Sequence, residues 1–549
     1  MRKKSEVKAA DKKTYITKHY ARLAKKLKRD LRMQDLQDVG ITRDMISHHF
    51  GSLTLLEKNA RDEYPDNFFD VTVESIYSPK AIADLREEVA SSKRFVVTTA
   101  VNGCEVHPKF LASIKNYCKL NNASLLILVA SDPAASRDKA WGTISSKLKD
   151  ETIVLEDTRL NSNVFLSTIK LSAKHIDPTT GLGRIGQRNG TFIYASPKQR
   201  LKAVPVSNSS LPHFMMTTGA ITVANYNSEL YMSQRTAYIA EHDHVLGAVV
   251  VEIVDDKRYH FRQIQSDSRG NFYDLGKKYS PTECATVQPE AFVLGDWHAG
   301  STDPAAKKAW FEISQLTRPK RILLHDAFDG ISINHHEKNY KLLKAKRAES
   351  NQLSLQNELE ILANDIQEIA TLTNEVVVVK SNHDQFLERY LQEAKYVDDP
   401  QNHRIALQLA LQILDGNDPL RYAVSDMLVL DAKTKSKVKW LSIDNDYRIE
   451  GIQCGAHGHL GANGSRGSIE AMETAYGYSV TGHSHTPQIL RGAWCVGTSS
   501  LLKLDYNKGV SSWLHSSCLI YPGGSRQLIN CIDGQWRLGD LAKTTRRKP

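Results

Sequence analysis

The stretch that most constrains this chain is Ala291 to Gly300, AFVLGDWHAG, where an apolar run stops at Gly295 and sets Asp296 and His298 two residues apart. A short apolar run bounded by Gly reads as a buried strand, and functional groups in open α/β sheets sit just beyond strand ends. Taken alone, Asp-x-His is an ordinary turn. The pattern repeats, however. Arg321 to Leu324 runs into His325, Asp326, Ala327, Phe328 and Asp329, and Glu375 to Val379 runs into Lys380, Ser381, Asn382, His383 and Asp384. Two later stretches, Gly455-Ala-His457-Gly-His459 and Thr481-Gly-His483-Ser-His485, complete five candidate strand-end sites in one half of the chain.

These segments offer only nitrogen and oxygen donors. Carboxylate, imidazole and amide oxygen together suit divalent ions such as Mn, Fe or Zn rather than a thiolate site. A carboxylate between two cations can bridge them, and a two-metal site holds both the attacking and the leaving oxygens of phosphoryl transfer. The ordered series D-x-H, D-x-x-D, N-H-D, H and G-H-x-H resembles the calcineurin-like metallophosphoesterase superfamily.

The resemblance implies a layered α/β metallophosphoesterase β-sandwich flanked by helices over residues 289–549. It implies two divalent metal ions, Mn first, with Mg, Fe and Zn as alternatives. Asp296, His298 and His485 would hold one, Asn382, His457 and His483 the other, and Asp326 would bridge them. His383 would act as the acid at the leaving oxygen, since an imidazole titrates near neutral pH. Asp329 would brace it, and Asp384 is a further candidate to orient it. His457 and His459 compete for one ligand position; the first His of H-G-H is the family's ligand. His459 would then face the phosphate with Asn463 and Arg466 of the Gly-rich GANGSRG. The sequence departs from the family at His325 and Ser381, where glycine usually shapes the turn; neither change removes a ligand.

A chain of 549 residues is long enough for two to four domains. The net charge of +10 matters for where it lies: Met1 to Ala60 carries fifteen Lys/Arg against seven Asp/Glu, and the chain ends Lys543-Thr-Thr-Arg546-Arg547-Lys548. Basic ends favour a polyanionic partner. Residues 1–66 read as a helical domain, with Leu23, Leu27 and Leu31 at four-residue spacing on one face, a turn at Val39-Gly40, and Thr42 capping a second helix to about Phe50. This arrangement resembles a small helix-turn-helix unit whose second helix would present Arg43 and His48 to DNA. A plain helical interaction domain is the alternative.

Residues 67–288 read as an α/β and β-rich accessory region. Arg94 to Val101, Pro108 to Leu120 and Ser124 to Ala130 form a βαβ unit. Further on, Tyr259 to Gln265 is expected to form a hairpin with Asn271 to Leu275, and Lys198, Arg200 and Lys202 to lie on a solvated face. In the last region, helices are expected over Pro304 to Leu316, Glu337 to Thr373, Asp384 to Ala394, Gln401 to Asp415 and Ser468 to Tyr476.

Seven scattered cysteines without a C-x-x-C pair argue for reduced thiols, and no secretory leader or long apolar run is present. The expectation is a soluble cytoplasmic protein with no membrane partner. Its function is expected to be that of a two-metal deoxyribonuclease that hydrolyses DNA with a metal-activated water, working as a homo-oligomer. The catalytic half resembles the SbcD-type repair nucleases, and the whole resembles phage nucleases that degrade host DNA. A phosphatase or cyclic-nucleotide phosphodiesterase is one alternative; a DNA-binding regulator with an inactive enzyme half is another.

Overall fold

The computed structural model describes residues 2–27, 31–68, 70–130, 142–207, 211–224, 234–334, 339–428, 430–504 and 507–539. The basic C-terminal tail and Lys338 lie outside the described residues.

Alternation of period two along Ala291–Val293 decides how the C-terminal half layers. Ala291 and Val293 enter one core, while Phe292 and Leu294 enter another. The strand belongs to a six-stranded sheet ordered Val438–Trp440, Glu375–Val378, Arg321–Leu324, Ala291–Val293, His515–Ile520, Arg526–Cys531. The first four are mutually parallel and the last two join antiparallel. Helices Pro304–Thr317, Leu355–Ala370 and His403–Leu414 cover one face through Trp310, Ile313, Leu359, Ile366 and Leu409. Each such fully buried side chain contributes about 1.5–3 kcal/mol. The other face meets Val480, Ile489 and Trp494 of a ten-stranded sheet and Val97, Val251 and Phe261 of a five-stranded sheet. The molecule is thus mixed α/β, with sheets face to face and helices outside.

The ten-stranded sheet runs across the expected boundary at 288/289. Arg200–Val204 pairs antiparallel with Gln488–Leu490, bringing Leu201 opposite Ile489, and strands Thr158–Arg159 through His213–Thr217 extend the sheet from there. Lys198 and Arg200 are therefore buried rather than solvated. Buried cations need partners. Lys198 Nζ lies 3.2 Å from Asp243 Oδ2, and Arg200 donates to the Ile489 carbonyl at 2.6 Å.

In the five-stranded sheet, Arg94–Val101 and Ser124–Ala130 pair in parallel, joined by helix Pro108–Asn121. Tyr259–Gln265 pairs with Gly247–Ile253 instead of forming the expected hairpin with 271–275. The Asp267 carboxylate accepts from the backbone of Arg269 and Asn271 and turns the chain. Phe272 then packs under the helix against Phe110, and Asp274 accepts from Tyr117. The single long helix expected over 337–373 is two, Lys341–Glu349 and Leu355–Ala370, because Ser354 accepts from Asn357 N and starts the second afresh.

The N-terminal helices Arg2–Leu27, Met33–Gln37, Arg43–Phe50 and Leu53–Glu63 have their own core of Ile16, Tyr20, Ala24, Leu36, Ile46 and Leu56. Thr42 caps the third by accepting from Met45 N. Of the expected Leu23-Leu27-Leu31 face, Leu23 and Leu31 join this core while Leu27 is exposed, and the buried stripe of the first helix is Ile16, Tyr20 and Ala24. No helix among the described residues is long and apolar enough to cross a membrane.

Candidate metal centre

Past the strand ends the chain keeps sheet-like pairing for a few more residues, and this aligns the polar loops. His298 N–H donates to the Asp326 carbonyl at 2.7 Å and Trp297 N–H to the His325 carbonyl at 2.8 Å. On the far side, Gly482 N–H donates to the His457 carbonyl at 2.9 Å, and Asp296 N–H to the Gly497 carbonyl at 3.2 Å. Trp297 fixes the first loop, because its ring is fully buried and its indole N–H reaches Asp365 Oδ2 at 2.8 Å. Asp296 and His298, one residue to either side, are left facing the centre.

All seven expected ligands converge there. His485 Nε2 is 3.3 Å from Asp296 Oδ2, and His298 Nε2 is 3.6 Å from Asp326 Oδ2. His457 Nε2 is 3.2 Å from the same Asp326 oxygen, and His483 Nδ1 is 3.1 Å from Asn382 Oδ1. Three donor groups able to hold a metal ion arise: Asp296 with Asp326 and His457, His298 with Asp326 and His485, and His298 with Asp329 and His383. Asp326 belongs to two of them.

The chemistry of these donors fits a cation. Among the described residues nineteen buried side-chain nitrogens and oxygens lack a hydrogen-bond partner, and eight belong to Asp296, His325, Asp326, His457, His459 and His485. Leaving such groups unpaired costs about 1–3 kcal/mol each. The two Nε2 atoms of His298 and His485 face each other at 3.0 Å. That is the separation of an N–H···N hydrogen bond, and a cation between the rings would take the place of its proton.

Close packing of so many ionisable groups perturbs each of them. Burial, together with the nearby Asp326, pushes the Asp296 carboxyl up to about 7. Burial also opposes charge on Asp326, but the imidazoles of His457, His383 and His298 hold it well below the usual carboxylate range. Burial likewise opposes charge on His298, yet its hydrogen bond to Asp329 and the surrounding carboxylates raise it to about 9. Burial and the charge of His298 drive His485 well down, while burial and His457 bring His483 to about 4.

The backbone is strained at the same place. Of thirteen non-glycine residues with positive φ among the described ones, four are His298, Asp326, His483 and His485. Such conformations cost of order 1–3 kcal/mol and concentrate at functional sites. Gly482 is there because nothing larger fits: a Cβ would sit 2.1 Å from Asp296 Oδ1.

His383 is half-buried, its Nδ1 2.7 Å from the Asp329 carbonyl. A carbonyl only accepts, so Nδ1 carries the hydrogen. Asp329 also accepts from His298 Nδ1 at 3.1 Å and from Ser301 Oγ. Asp384 does not orient His383. Its carboxylate accepts from Phe328 N at 3.2 Å and Ser381 N at 2.9 Å, so it ties two loops together.

His459 stands beside the centre, ring centroids 5.4 Å from His457 and 5.9 Å from His483. Arg466 is exposed and near enough for its charge to act on His483, whereas Asn463 is exposed at φ +56 on the same loop. Arg43 and His48 are exposed on the N-terminal unit and take no part in the centre.

Three residues here escaped the sequence reading. His325, taken only as a missing glycine, puts Nδ1 3.4 Å from His457 Nδ1, while the Trp513 ring lies 4.2 Å from that of His485. Ser301 is the third. An Asp-x-His-Ala-Gly-Ser string was the one local hint of it.

Fold and centre together define a mixed α/β protein with a buried His/Asp cluster able to bind metal. No protein-family model matches the chain, and no solved structure matches it. The chain is similar to Protein A1 of Escherichia phage T5, at 29% identity over 475 residues, which is 82% of this chain and 84% of that protein.

Proposed function

We propose that this is a phage deoxyribonuclease that hydrolyses DNA phosphodiesters at a two-metal centre, in the service of host-DNA degradation. One observation carries the reading: the Asp326 carboxylate is shared between two buried donor groups, in which both Asp296 oxygens and His485 Nδ1 lack a side-chain hydrogen-bond partner. Similarity to a phage protein supports the biological setting.

In this reading Asp296, His298 and His485 would hold one ion and Asn382, His457 and His483 the other, and Asp326 would be shared by both. Bound ions supply Lewis-acid activation of the phosphate and of the attacking water, Mn being the favoured pair. The protein supplies the rest. His383 keeps its Nδ1 hydrogen on the Asp329 carbonyl, so in the imidazolium form the second proton sits on Nε2, which hands it to the leaving oxygen and is left as the neutral Nδ1–H ring. Asp329 holds His298 Nδ1, which fixes the tautomer and leaves His298 Nε2 as the donor. His459 and Arg466 would meet the phosphate, and the N-terminal unit would engage duplex DNA through Arg43 and His48.

The test is incubation of the full chain with supercoiled and linear DNA in Mn, in Mg and in chelator, with bound metal quantified. Metal-dependent cleavage is expected. Intact DNA alongside hydrolysis of aryl phosphates or nucleotides would replace this reading with a phosphatase, and DNA retention without any hydrolysis would replace it with a regulator.

A further inference from the structure

Next to the centre lies a cavity of about 910 Å³, near the top of the range for ligand sites of about 300–1,000 Å³. It is lined by Ser301, by Lys346 and Arg347 of helix Lys341–Glu349, and by Lys503, Asn507 and Lys508; among the described residues no acidic side chain lines it. Lys346, Lys503 and Lys508 are exposed and form no ion pair with a described carboxylate. That sets them apart from Lys198, Lys307, Lys320 and Lys380, each of which is paired.

Clustered like charges around a concave surface repel one another and focus a positive field, which a polyanion relieves. The cavity shares a wall with the centre: Ser301 lines it and donates to Asp329, whose other oxygen holds His298. A nucleotide or phosphomonoester at the centre would bring its charge to the ions and leave these lysines unanswered. A polynucleotide carries further phosphates along the same chain.

The geometry points to this cavity as the tract that holds the sugar-phosphate backbone of DNA flanking the bond to be cut. The assignment rests on the nuclease reading of the neighbouring centre, and it makes Lys346, Lys503 and Lys508 the residues that select a polymer over a small phosphate ester.

The experiment uses the full chain in chelator, where nothing is cut. Lysine acetylation is mapped by mass spectrometry with and without a short DNA duplex, and with ATP or inorganic phosphate as comparisons. DNA should protect Lys346, Lys503 and Lys508, while ATP and phosphate should not. In a second measurement, a triple Lys→Ala variant should bind the duplex about tenfold or more weakly, and its salt slope should fall by about 0.9 for each phosphate it no longer neutralises. The triple Lys→Arg variant should keep both values. Unprotected lysines, or an unchanged affinity and salt slope in a triple-Ala variant that melts like the parent, would overturn the assignment. Protection together with no cleavage in Mn or Mg would support the tract and overturn the nuclease reading, so the two can fail separately.

Discussion

Two buried polar clusters in this molecule have nearly the same ingredients and opposite bookkeeping. In the five-stranded sheet, Arg262 reaches Glu252 through two nitrogens at 2.9 and 3.1 Å and Asp274 through Nε at 2.8 Å. Arg94, Leu538 N, Tyr117 and Gln527 occupy the remaining carboxylate positions. Every acid there has its cation and its hydrogen bonds. At the candidate metal centre the carboxylates and imidazoles are as deeply buried, but neither Asp296 oxygen accepts a side-chain hydrogen bond and the loops around it are strained. A satisfied network holds a fold together, whereas a buried unsatisfied one points to a catalytic or ligand-binding role.

The sharpest way to break that contrast is Asp296→Asn. Cleavage should fall by about a thousandfold or more, and the rise in melting temperature expected for the parent in Mn should be lost. In chelator the variant should melt at or above the parent, since a buried carboxylate without donors has been removed. A lower melting temperature in chelator would show that Asp296 is structural. Arg262→Met should do the reverse: removing the cation strands Glu252 and Asp274 and should destabilise by about 3–5 kcal/mol in denaturant unfolding, leaving metal stoichiometry per folded molecule unchanged. His383→Ala falls between. The residue has one nitrogen satisfied and one left for chemistry, so cleavage should drop about 10²–10³-fold while DNA affinity and melting temperature hold. Unchanged turnover would remove the acid role.

The contrast also marks what the sequence could reveal. Asp296, His298, Asp326, Asn382, His457, His483 and His485 are legible because each sits in a local apolar-run-then-polar string, and strand ends on one sheet edge are neighbours by construction. The Arg262 network is invisible beforehand: its members are scattered from Arg94 to Leu538, and nothing near each announces a partner. Leu201 facing Ile489 is a pairing across the whole C-terminal half, so the strands of 158–217 could be recognised without their place in the sheet. Asp384 shows the opposite failure. Adjacency to His383 suggested a catalytic partner, yet the first turn of a helix points its carboxylate back at the backbone of Phe328 and Ser381. Lys346 and Lys503 are meaningful only once the fold brings two distant segments around one cavity.

Acid separates the two clusters by the smallest expected margin. Burial works against the Glu252 carboxylate, but Arg262 and Arg94 outweigh it and lower the group from 4.5 to about 2. A folded-state value below the unfolded one means that the stabilisation is fully present above pH 4.5 and is lost as pH falls towards 2. The shift corresponds to about 3 kcal/mol. Denaturant unfolding followed from pH 5 downward should therefore show a loss that Glu252→Gln flattens, because the variant has already given up the ionised pair and has no proton to take up at that position. Equal slopes in parent and variant would mean that the Arg262 cluster does not hold Glu252 ionised, and the distinction between a completed network and an incomplete one would lose its clearest physical case.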